Sequence, residues 1–363
     1  MLMIPYVVLL IVLCVEGIVI QTSTAFKNPK KTYLVLAGIE MILFVGLRAP
    51  TVGSDTGVYV EFVEIYRGIP FFEIFDLTEN PWPYGFETGY LLFSKVCSFL
   101  KMDATAFLFT VAAAIYIPFL RFAYKHTSDP TLSVLAYFTF SQFYYSLGVF
   151  RQMLALSVCL LAVSSILERK PLKFCVLIAI ATLFHKTAIC WLPIYWLTNL
   201  DVKKYRLWVL PAAIICIPAG VIAVNVLMAL FPQYEGYLGT IRAEGGGSYL
   251  SLLLLAVIFI GTFWISGKPV VSRKNRMEIA GLALGVILQA VAYSFGLLGR
   301  AICYYTVFIT TLLPDIIDRM FDQKSRRIIK LLVGAVLIFI IIETQFRDNK
   351  NICPFIFFWE AEG

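Results

Sequence analysis

Charged residues are scarce in this 363-residue chain. They make up 15% of it, whereas a typical soluble domain carries about 25%. The mean hydropathy is +0.83, and apolar runs recur from end to end at the length of about 17 to 25 residues that crosses a bilayer. The short alternating strands of a transmembrane barrel are missing from the sequence. The composition therefore predicts an all-α, polytopic membrane protein.

Three further signals are missing. The eight cysteines form no CxxC pair and no metal-binding spacing, so we expect buried apolar side chains and neither a metal nor another cofactor. The N-terminus lacks a basic segment and a small-residue cleavage site, so we expect no cleavable signal. The net charge of +7 fits the positive-inside bias of membrane proteins, and we expect no binding of nucleic acid.

The cations that are present define a topology. Most of the 30 lysines and arginines lie in six short segments: 27–31, 121–125, 169–173, 203–206, 268–276 and 319–330. Placing all six in the cytoplasm satisfies the positive-inside rule and predicts about twelve transmembrane helices, with both termini outside. The predicted spans are 4–20, 33–47, 104–120, 132–147, 150–167, 172–184, 187–198, 207–229, 249–266, 278–297, 301–314 and 331–345.

Two regions need a special interpretation. Residues 86–100 are apolar but interrupted by Lys95 and Ser98, and a span there would reverse the charge pattern. We therefore predict a short re-entrant or interfacial helix on the outer face. Residues 173–200 must form a hairpin of two short helices that turns near His185. Residues 1–363 then form a single integral membrane domain.

The predicted topology gives two extracytoplasmic loops, residues 48–101 and 231–248. The first is rich in acidic and aromatic residues, which suit sugar binding because carboxylates accept hydroxyl hydrogen bonds and flat rings stack on pyranose faces. Loops of this length usually carry a function. The second loop contains Gly245, Gly246 and Gly247, and is interpreted as a flexible connector or, alternatively, as a moving lid.

Arg48, Arg151 and Arg300 lie at the ends of apolar runs, and the predicted topology places all three on the outer face. An arginine at a membrane boundary is costly without a partner, and its guanidinium binds phosphate in a bidentate way. The three are therefore candidate phosphate ligands. The alternatives are a salt bridge from Arg48 to Asp55, and extension of the other two arginines to the lipid headgroups.

Three residues are candidates for acid–base chemistry. His185, one of two histidines, is placed at the outer tip of the hairpin, and an imidazole titrates readily near neutral pH. Glu87 and Asp55 lie in the first outer loop and are also candidates for the base or for orienting it. The alternatives are a hydrogen bond between helices for His185 and interaction with a helix dipole for Glu87.

Several short motifs in this order resemble the EpsG family of exopolysaccharide polymerases, relatives of the Wzy-type O-antigen polymerases. The resemblance covers most of the chain. Its motifs are Gly46-Leu47-Arg48 followed by Asp55-Thr56 and Tyr59, then Glu87 with Gly89-Tyr90, Arg151-Gln152, Phe184-His185-Lys186, and Arg300 with Tyr304-Tyr305.

The resemblance implies a multi-pass enzyme of the bacterial cell (inner) membrane, with its active site on the extracytoplasmic face. It implies glycosyl transfer that joins repeat units carried on undecaprenyl diphosphate, for capsule, exopolysaccharide or O-antigen. We assign the diphosphate to Arg151, Arg300 and Arg48. His185, Glu87 and Asp55 are the candidate catalytic residues, and the sequence does not decide which is the base. The remaining substrate-binding candidates are Tyr59, Tyr90, Gln152 and Tyr304.

The expected partners are the undecaprenyl-diphosphate-linked oligosaccharide, membrane lipid, and a chain-length regulator and flippase of the same pathway. Two other functions stay open. A transporter or flippase of lipid-linked oligosaccharide would also need arginines facing phosphate, although such proteins often show internal repeats and broken helices, and no convincing repeat is present. An O-antigen-type ligase would share the donor and differ only in the acceptor.

Overall fold

The computed structural model describes residues 3–74, 76, 86–230, 249–293, 299–345 and 351–360. All regular elements in these ranges are helical. The α-helices are α1 (Ile4–Thr22), α2 (Pro29–Gly46), α3 (Thr56–Ile65), α4 (Thr88–Phe99), α5 (Ala104–His126), α6 (Pro130–Thr139), α7 (Gln142–Gly148), α8 (Phe150–Leu167), α9 (Pro171–Phe184), α10 (Leu192–Leu197), α11 (Val202–Leu230), α12 (Tyr249–Ser266), α13 (Arg273–Ala292), α14 (Gly299–Thr306), α15 (Ile309–Met320) and α16 (Gln323–Ile340). Short 3-10 helices cover Tyr66–Gly68, Lys186–Trp191 and Phe358–Glu360, and a π-helical turn covers Ile341–Gln345.

Side-chain caps fix the starts of several helices. The Asn28 side chain accepts a hydrogen bond from the Lys31 amide at the start of α2. Asp103 does the same for α5 and Asp129 for α6, and Ser272 caps α13. These side chains satisfy backbone N–H groups that have no partner within the helix. These four helices therefore each start just after a polar residue whose side chain caps the first turn.

Five described helices are long and apolar enough to cross a membrane: α1, α5, α8, α12 and α13. The predicted count of twelve spans is not established by these five and stays a prediction. The short α4 has 12 residues, which corresponds to a length of about 18 Å, whereas a bilayer core is about 30 Å thick. The helix is therefore shorter than the bilayer core, and its placement as a re-entrant or interfacial helix on the outer face stays a prediction.

The predicted span at 132–147 is two helices. Ser141 adopts a left-handed backbone conformation with φ 68°, which ends α6 and lets α7 begin at Gln142. Non-glycine residues rarely adopt this conformation, so hydropathy alone did not reveal the break. The apolar stretch 301–314 is likewise divided between α14 and α15, and 187–198 between a 3-10 helix and α10.

The chain divides into two compact units, Met1–Ile189 with Val333–Gly363, and Cys190–Leu332. In the first unit α5 packs against α2 and α8, α8 packs against α9, and α4 packs against α9. In the second unit α13 packs against α11, α12 and α14. The prediction of one integral membrane domain is not tested by this division.

The second unit contains a buried polar network that sequence reasoning did not identify. The fully buried Glu278 accepts hydrogen bonds from Thr311 at 2.5 Å and from Asn275 at 3.3 Å. Lys274 forms an ion pair with Asp315 at 2.7 Å and lies 3.6 Å from Glu278. Because buried polar groups need partners, this network joins α13 to α15.

In the first unit, the C-terminal residues 351–360 pair with the loop that follows α2. Ala49 donates its amide to Ile356 at 2.8 Å, and the Phe358 amide donates to Leu47 at 2.9 Å. The Tyr6 hydroxyl also donates to the Ile352 carbonyl at 2.7 Å. These contacts hold the C-terminal segment, the start of α1 and the end of α2 together.

The loop between α2 and α3 also packs closely against the junction between α7 and α8. Gly53 has φ +107°, and a Cβ atom there would lie 2.1 Å from the Leu147 carbonyl oxygen. The same carbonyl accepts a hydrogen bond from Thr56 Oγ1 at 2.6 Å. Glycine is therefore required at position 53 both by backbone conformation and by space, and the contact anchors the residues that precede α8.

We expect Gly53→Ala to destabilise the protein by at least about 2 kcal/mol, because alanine is strained at positive φ and its methyl group would overlap a backbone carbonyl. Gly57→Ala is the matched control. Gly57 lies in α3, where the nearest atom to a new Cβ is the Pro50 carbonyl oxygen at 3.7 Å, and alanine favours a helix over glycine. The measurement is thermal unfolding of the detergent-solubilised variants. Equal changes in the unfolding temperature of Gly53→Ala and Gly57→Ala would contradict this expectation.

Candidate active site

Glu87 is the centre of a polar cluster formed by three segments of the first unit. Its Oε2 accepts a hydrogen bond from Arg151 Nη1 at 2.5 Å, and its Oε1 lies 2.9 Å from His185 Nδ1. The side chains of Glu87, Arg151 and His185 are 10%, 19% and 21% exposed. The three side chains are thus largely shielded from solvent, but each keeps some exposed surface that a ligand could contact.

Helix ends place two of these residues side by side. Glu87 is the N-cap of α4 and His185 is the C-cap of α9. A Cβ atom at Gly89 would lie 2.8 Å from the Leu183 carbonyl oxygen, so only glycine lets α4 approach α9 this closely. Glycine at position 89 is therefore required for packing, and this packing brings the Glu87 carboxylate to His185.

Aromatic side chains hold Arg151 from the other sides. Its guanidinium carbon lies 4.9 Å from the centre of the Phe86 ring, a cation–π contact. Its Nε donates to the Tyr59 hydroxyl at 3.4 Å, and the Tyr59 ring stacks on Phe150 at 4.9 Å. Arg151 therefore has a fixed position at the start of α8, with a carboxylate on one side and aromatic rings around it.

The electrostatics keep Glu87 ionised. Burial alone would raise the pKa of its carboxyl, but the hydrogen bond from His185 and the charge of Arg151 outweigh burial. Together they lower the pKa from an ordinary 4.5 to about 2. A carboxylate with one cation and one imidazole as partners is a stable anion over the physiological pH range.

Because the folded-state pKa of Glu87 lies below the unfolded-state value, its ionisation stabilises the fold above about pH 4.5. We expect this contribution, on the order of 3 kcal/mol, to be lost as the pH falls from about 4.5 towards 2. Unfolding measurements from neutral to acidic pH should show that wild type and Glu87→Gln differ in their free energy of unfolding at neutral pH, and that this difference becomes smaller as the pH falls through that window.

Glu64→Gln is the control for this measurement. The Glu64 carboxylate is 54% exposed and pairs with Arg67 at 2.9 Å, so its removal should change stability by less than about 1 kcal/mol at any pH. A Glu87→Gln variant that matched Glu64→Gln at neutral pH would contradict the stabilising role of the buried cluster.

Comparison with protein families matches residues 31–357 to the model of the EpsG family. The chain belongs to the EpsG family. Membership identifies an exopolysaccharide polymerase-type, multi-pass membrane protein and a polymerase or glycosyltransferase-like enzyme. Comparisons with curated proteins and with solved structures gave no match. All three residues of the polar cluster lie inside the region that matches the family.

Arg48 has a different environment from the one expected of a diphosphate ligand. It is fully buried, and its guanidinium donates to the backbone carbonyls of Val52 at 3.3 Å, Leu147 at 3.0 Å and Val45. Within the described residues, it forms no salt bridge with Asp55. Arg48 therefore supports the loop after α2 in this structure, and its assignment to the diphosphate stays a prediction from the sequence that this environment does not favour.

Asp55 is half-buried and precedes the first turn of α3. In the described part of the chain its carboxylate has no hydrogen bond to a helix-capping amide. It is close enough to Tyr59 to act on it electrostatically, and Tyr59 in turn contacts Arg151. Asp55 therefore lies near the cluster without belonging to it, and its catalytic role stays a prediction.

The predicted substrate-binding residues are all buried. Tyr59 is 1% exposed, and Tyr90, Gln152 and Tyr304 are fully buried. Tyr90 packs against Tyr59 at 5.2 Å, and both tyrosines contribute little exposed surface. Substrate binding by these four residues stays a prediction.

Arg300 and Tyr304 belong to the second unit, in α14. The side chain of Arg300 lies outside the described residues, so its assignment to the diphosphate is not tested. The Tyr304 carbonyl accepts a hydrogen bond from the Trp191 indole at 2.8 Å, which ties α14 to the preceding 3-10 helix. The predicted outer loop at 231–248 also lies outside the described residues.

Two residues that support the cluster, Phe86 and Gly89, were given no role in the site from the sequence. The signal for both was their place beside Glu87, in a stretch that reads Gly85-Phe86-Glu87-Thr88-Gly89. Among the described residues, no group of three or more histidine, cysteine and acidic side chains could hold a metal ion. The metal-free mechanism stays a prediction.

Proposed function

We propose that the protein is a polymerase that joins polysaccharide repeat units carried on undecaprenyl diphosphate at the outer face of the bacterial cell membrane. The donor is a growing glycan on the lipid diphosphate, and the acceptor is one lipid-linked repeat unit. The product is a capsule, exopolysaccharide or O-antigen chain. Family membership supports the polymerase class, and the polar cluster supports the chemistry.

The observation that carries this proposal is the contact of one carboxylate, Glu87, with both Arg151 and His185. Glycosyl transfer from a diphosphate needs a cation for the leaving group and a base for the attacking hydroxyl. Here a guanidinium and an imidazole are fixed next to each other, and both are partly exposed. These are the two groups that the reaction requires.

In the proposed reaction, the acceptor hydroxyl oxygen attacks the anomeric carbon of the donor sugar. The new bond is the glycosidic C–O bond, and the bond between the anomeric carbon and the diphosphate oxygen breaks. The lipid diphosphate leaves with the electron pair of that bond, and Arg151 stabilises the charge that develops on it. The hydroxyl proton passes to the base.

We assign the base to His185. With Nδ1 facing the ionised Glu87 at 2.9 Å, the neutral imidazole carries its proton on Nδ1 and has Nε2 available to accept the hydroxyl proton. Hydrogen bonding at one ring nitrogen sets the tautomer in this way in many enzymes. Glu87 then acts as a positioning residue, which orients the imidazole and holds Arg151.

The reaction takes place, in this proposal, on the extracytoplasmic side of a bacterial inner membrane. The six basic segments support that orientation, because the topology predicted from them has the start of α8 and the end of α9, which carry Arg151 and His185, on the opposite side. The partners are the undecaprenyl-diphosphate-linked oligosaccharide and membrane lipid. A chain-length regulator and a flippase of the same pathway are further proposed partners.

The test is a reconstitution in liposomes that contain only this protein and lipid-linked repeat units. Polymerase activity would give a ladder of elongated lipid-linked products. Translocation of the lipid without elongation would identify a transporter. In a parallel reaction with a lipid A-type acceptor added, transfer of a glycan to that acceptor without elongation would identify a ligase. Either of these two results would refute the polymerase.

A further inference from the structure

The charge balance of the cluster is unfavourable for a diphosphate. Glu87 neutralises Arg151 through a direct ion pair, and a second carboxylate belongs to Asp55, whose backbone carbonyl accepts a hydrogen bond from the amide of Tyr59, the residue that contacts Arg151. With a neutral His185 in the role of base, these four groups have a net charge of −1. A diphosphate diester is itself an anion, so binding it requires at least one more cation within reach.

Most cations on the predicted outer side of the first unit are already engaged. Arg48 donates to backbone carbonyls and is fully buried. Arg67 pairs with Glu64 and with a backbone carbonyl. The buried Lys95 donates to the Tyr66 carbonyl at 2.6 Å and to a second carbonyl at 2.5 Å. Besides Arg151, the remaining described cations on this side are Lys101 and Lys186.

Lys186 is next to the cluster. It follows His185 directly, and its backbone amide lies 3.4 Å from Glu87 Oε1. Its side chain is exposed, and within the described residues its ammonium forms neither a hydrogen bond nor an ion pair. Lys101 lies beyond the C-terminal end of α4, so that the 12-residue helix, about 18 Å long, separates it from Glu87.

We infer that Lys186 is the second diphosphate-binding cation of the site and acts together with Arg151. The inference rests on the proposed function, because the ligand is the diphosphate of the lipid-linked donor. The Glu87 carboxylate holds the backbone of Lys186 through the hydrogen bond from its amide. The four-carbon side chain of Lys186 lets its ammonium reach a phosphate oxygen beside Arg151. Lysine binds phosphate as a point charge and needs no bidentate geometry, so a single flexible ammonium can serve as a phosphate ligand.

The test is direct binding of undecaprenyl diphosphate to the full-length protein in detergent, without any acceptor. We expect Lys186→Met to weaken binding roughly tenfold to a hundredfold, the effect of losing one charged hydrogen bond, and to make the affinity less sensitive to salt. Lys186→Arg should bind within a few-fold of wild type. Binding of undecaprenol, which has no phosphate, should not change.

Lys101→Met is the matched control, since it removes the same charge from the same predicted side at the far end of α4, and it should bind normally. Wild-type affinity in Lys186→Met, an equal loss in both lysine variants, or no binding by wild type would overturn the inference. Binding requires no elongation. A protein that binds through Lys186 but does not elongate glycans would therefore refute the polymerase proposal alone.

Discussion

Arg151→Ala should lower the rate of glycan elongation at least about a hundredfold, because it removes a fixed guanidinium from the place where leaving-group charge develops. Arg151 is the second residue of α8, and Phe86 and Tyr59 hold its guanidinium in a single position. A charge that is already in place costs no reorganisation during the reaction, so its loss should lower kcat in addition to weakening the binding of the diphosphate. The measurement is the rate of ladder formation by purified protein in liposomes.

The alanine variant also leaves Glu87 without its cation, which would destabilise a buried carboxylate. Arg151→Ala combined with Glu87→Gln removes both charges and separates stability from catalysis. We expect the double variant to unfold at a higher temperature than Arg151→Ala and to remain inactive. Arg67→Ala, which removes a 37% exposed arginine, is the control and should elongate normally. Full polymerisation by Arg151→Ala at normal expression would refute the diphosphate assignment.

The second large effect is expected for His185. Replacement by asparagine keeps an N–H donor near Glu87 but removes the proton acceptor, and we expect elongation to fall roughly a hundredfold to ten-thousandfold. The loss should be in kcat, with the KM for the lipid-linked donor little changed, because the base acts in the chemical step.

His126→Asn is the natural control, since the chain contains two histidines. His126 ends α5, and its ring lies 5.2 Å from that of Phe122, so we expect elongation at the wild-type rate. If His185→Asn kept its kcat and lost only donor affinity, the histidine would be a ligand of the substrate. The base would then have to be sought at Asp55 or Glu87.

Local sequence patterns predicted much of the helical structure. Residues 150–167 and 249–266 were predicted as spans, and these are the bounds of α8 and α12. The predicted span 104–120 begins where α5 begins, at Ala104, and the Asp103 side chain caps its first turn. These predictions succeeded because helix boundaries and apolar length depend on nearby residues, through backbone hydrogen bonding and capping.

Where local signals were weak, the prediction was incomplete. Hydropathy across 132–147 is continuous, and the left-handed Ser141 that divides it has no sequence signature of the kind that glycine or proline provides. The environment of Arg48 also could not be read from sequence. A guanidinium can be satisfied by a carboxylate or by carbonyls, and which of them is near depends on how α7 packs against the loop after α2.

By itself, the sequence determined the membrane class, the positions of many helices and the charged residues at the ends of the apolar runs, because composition and local hydrogen bonding are properties of the chain. Tertiary structure alone decided that Glu87, Arg151 and His185 meet. Arg151 lies 64 positions after Glu87 and His185 lies 98 positions after it. The contact between Glu87 and His185 depends on the close approach of α4 to α9 at Gly89. Tertiary structure also decided that Arg48 is enclosed by carbonyls, since buried charges take whatever partners packing supplies.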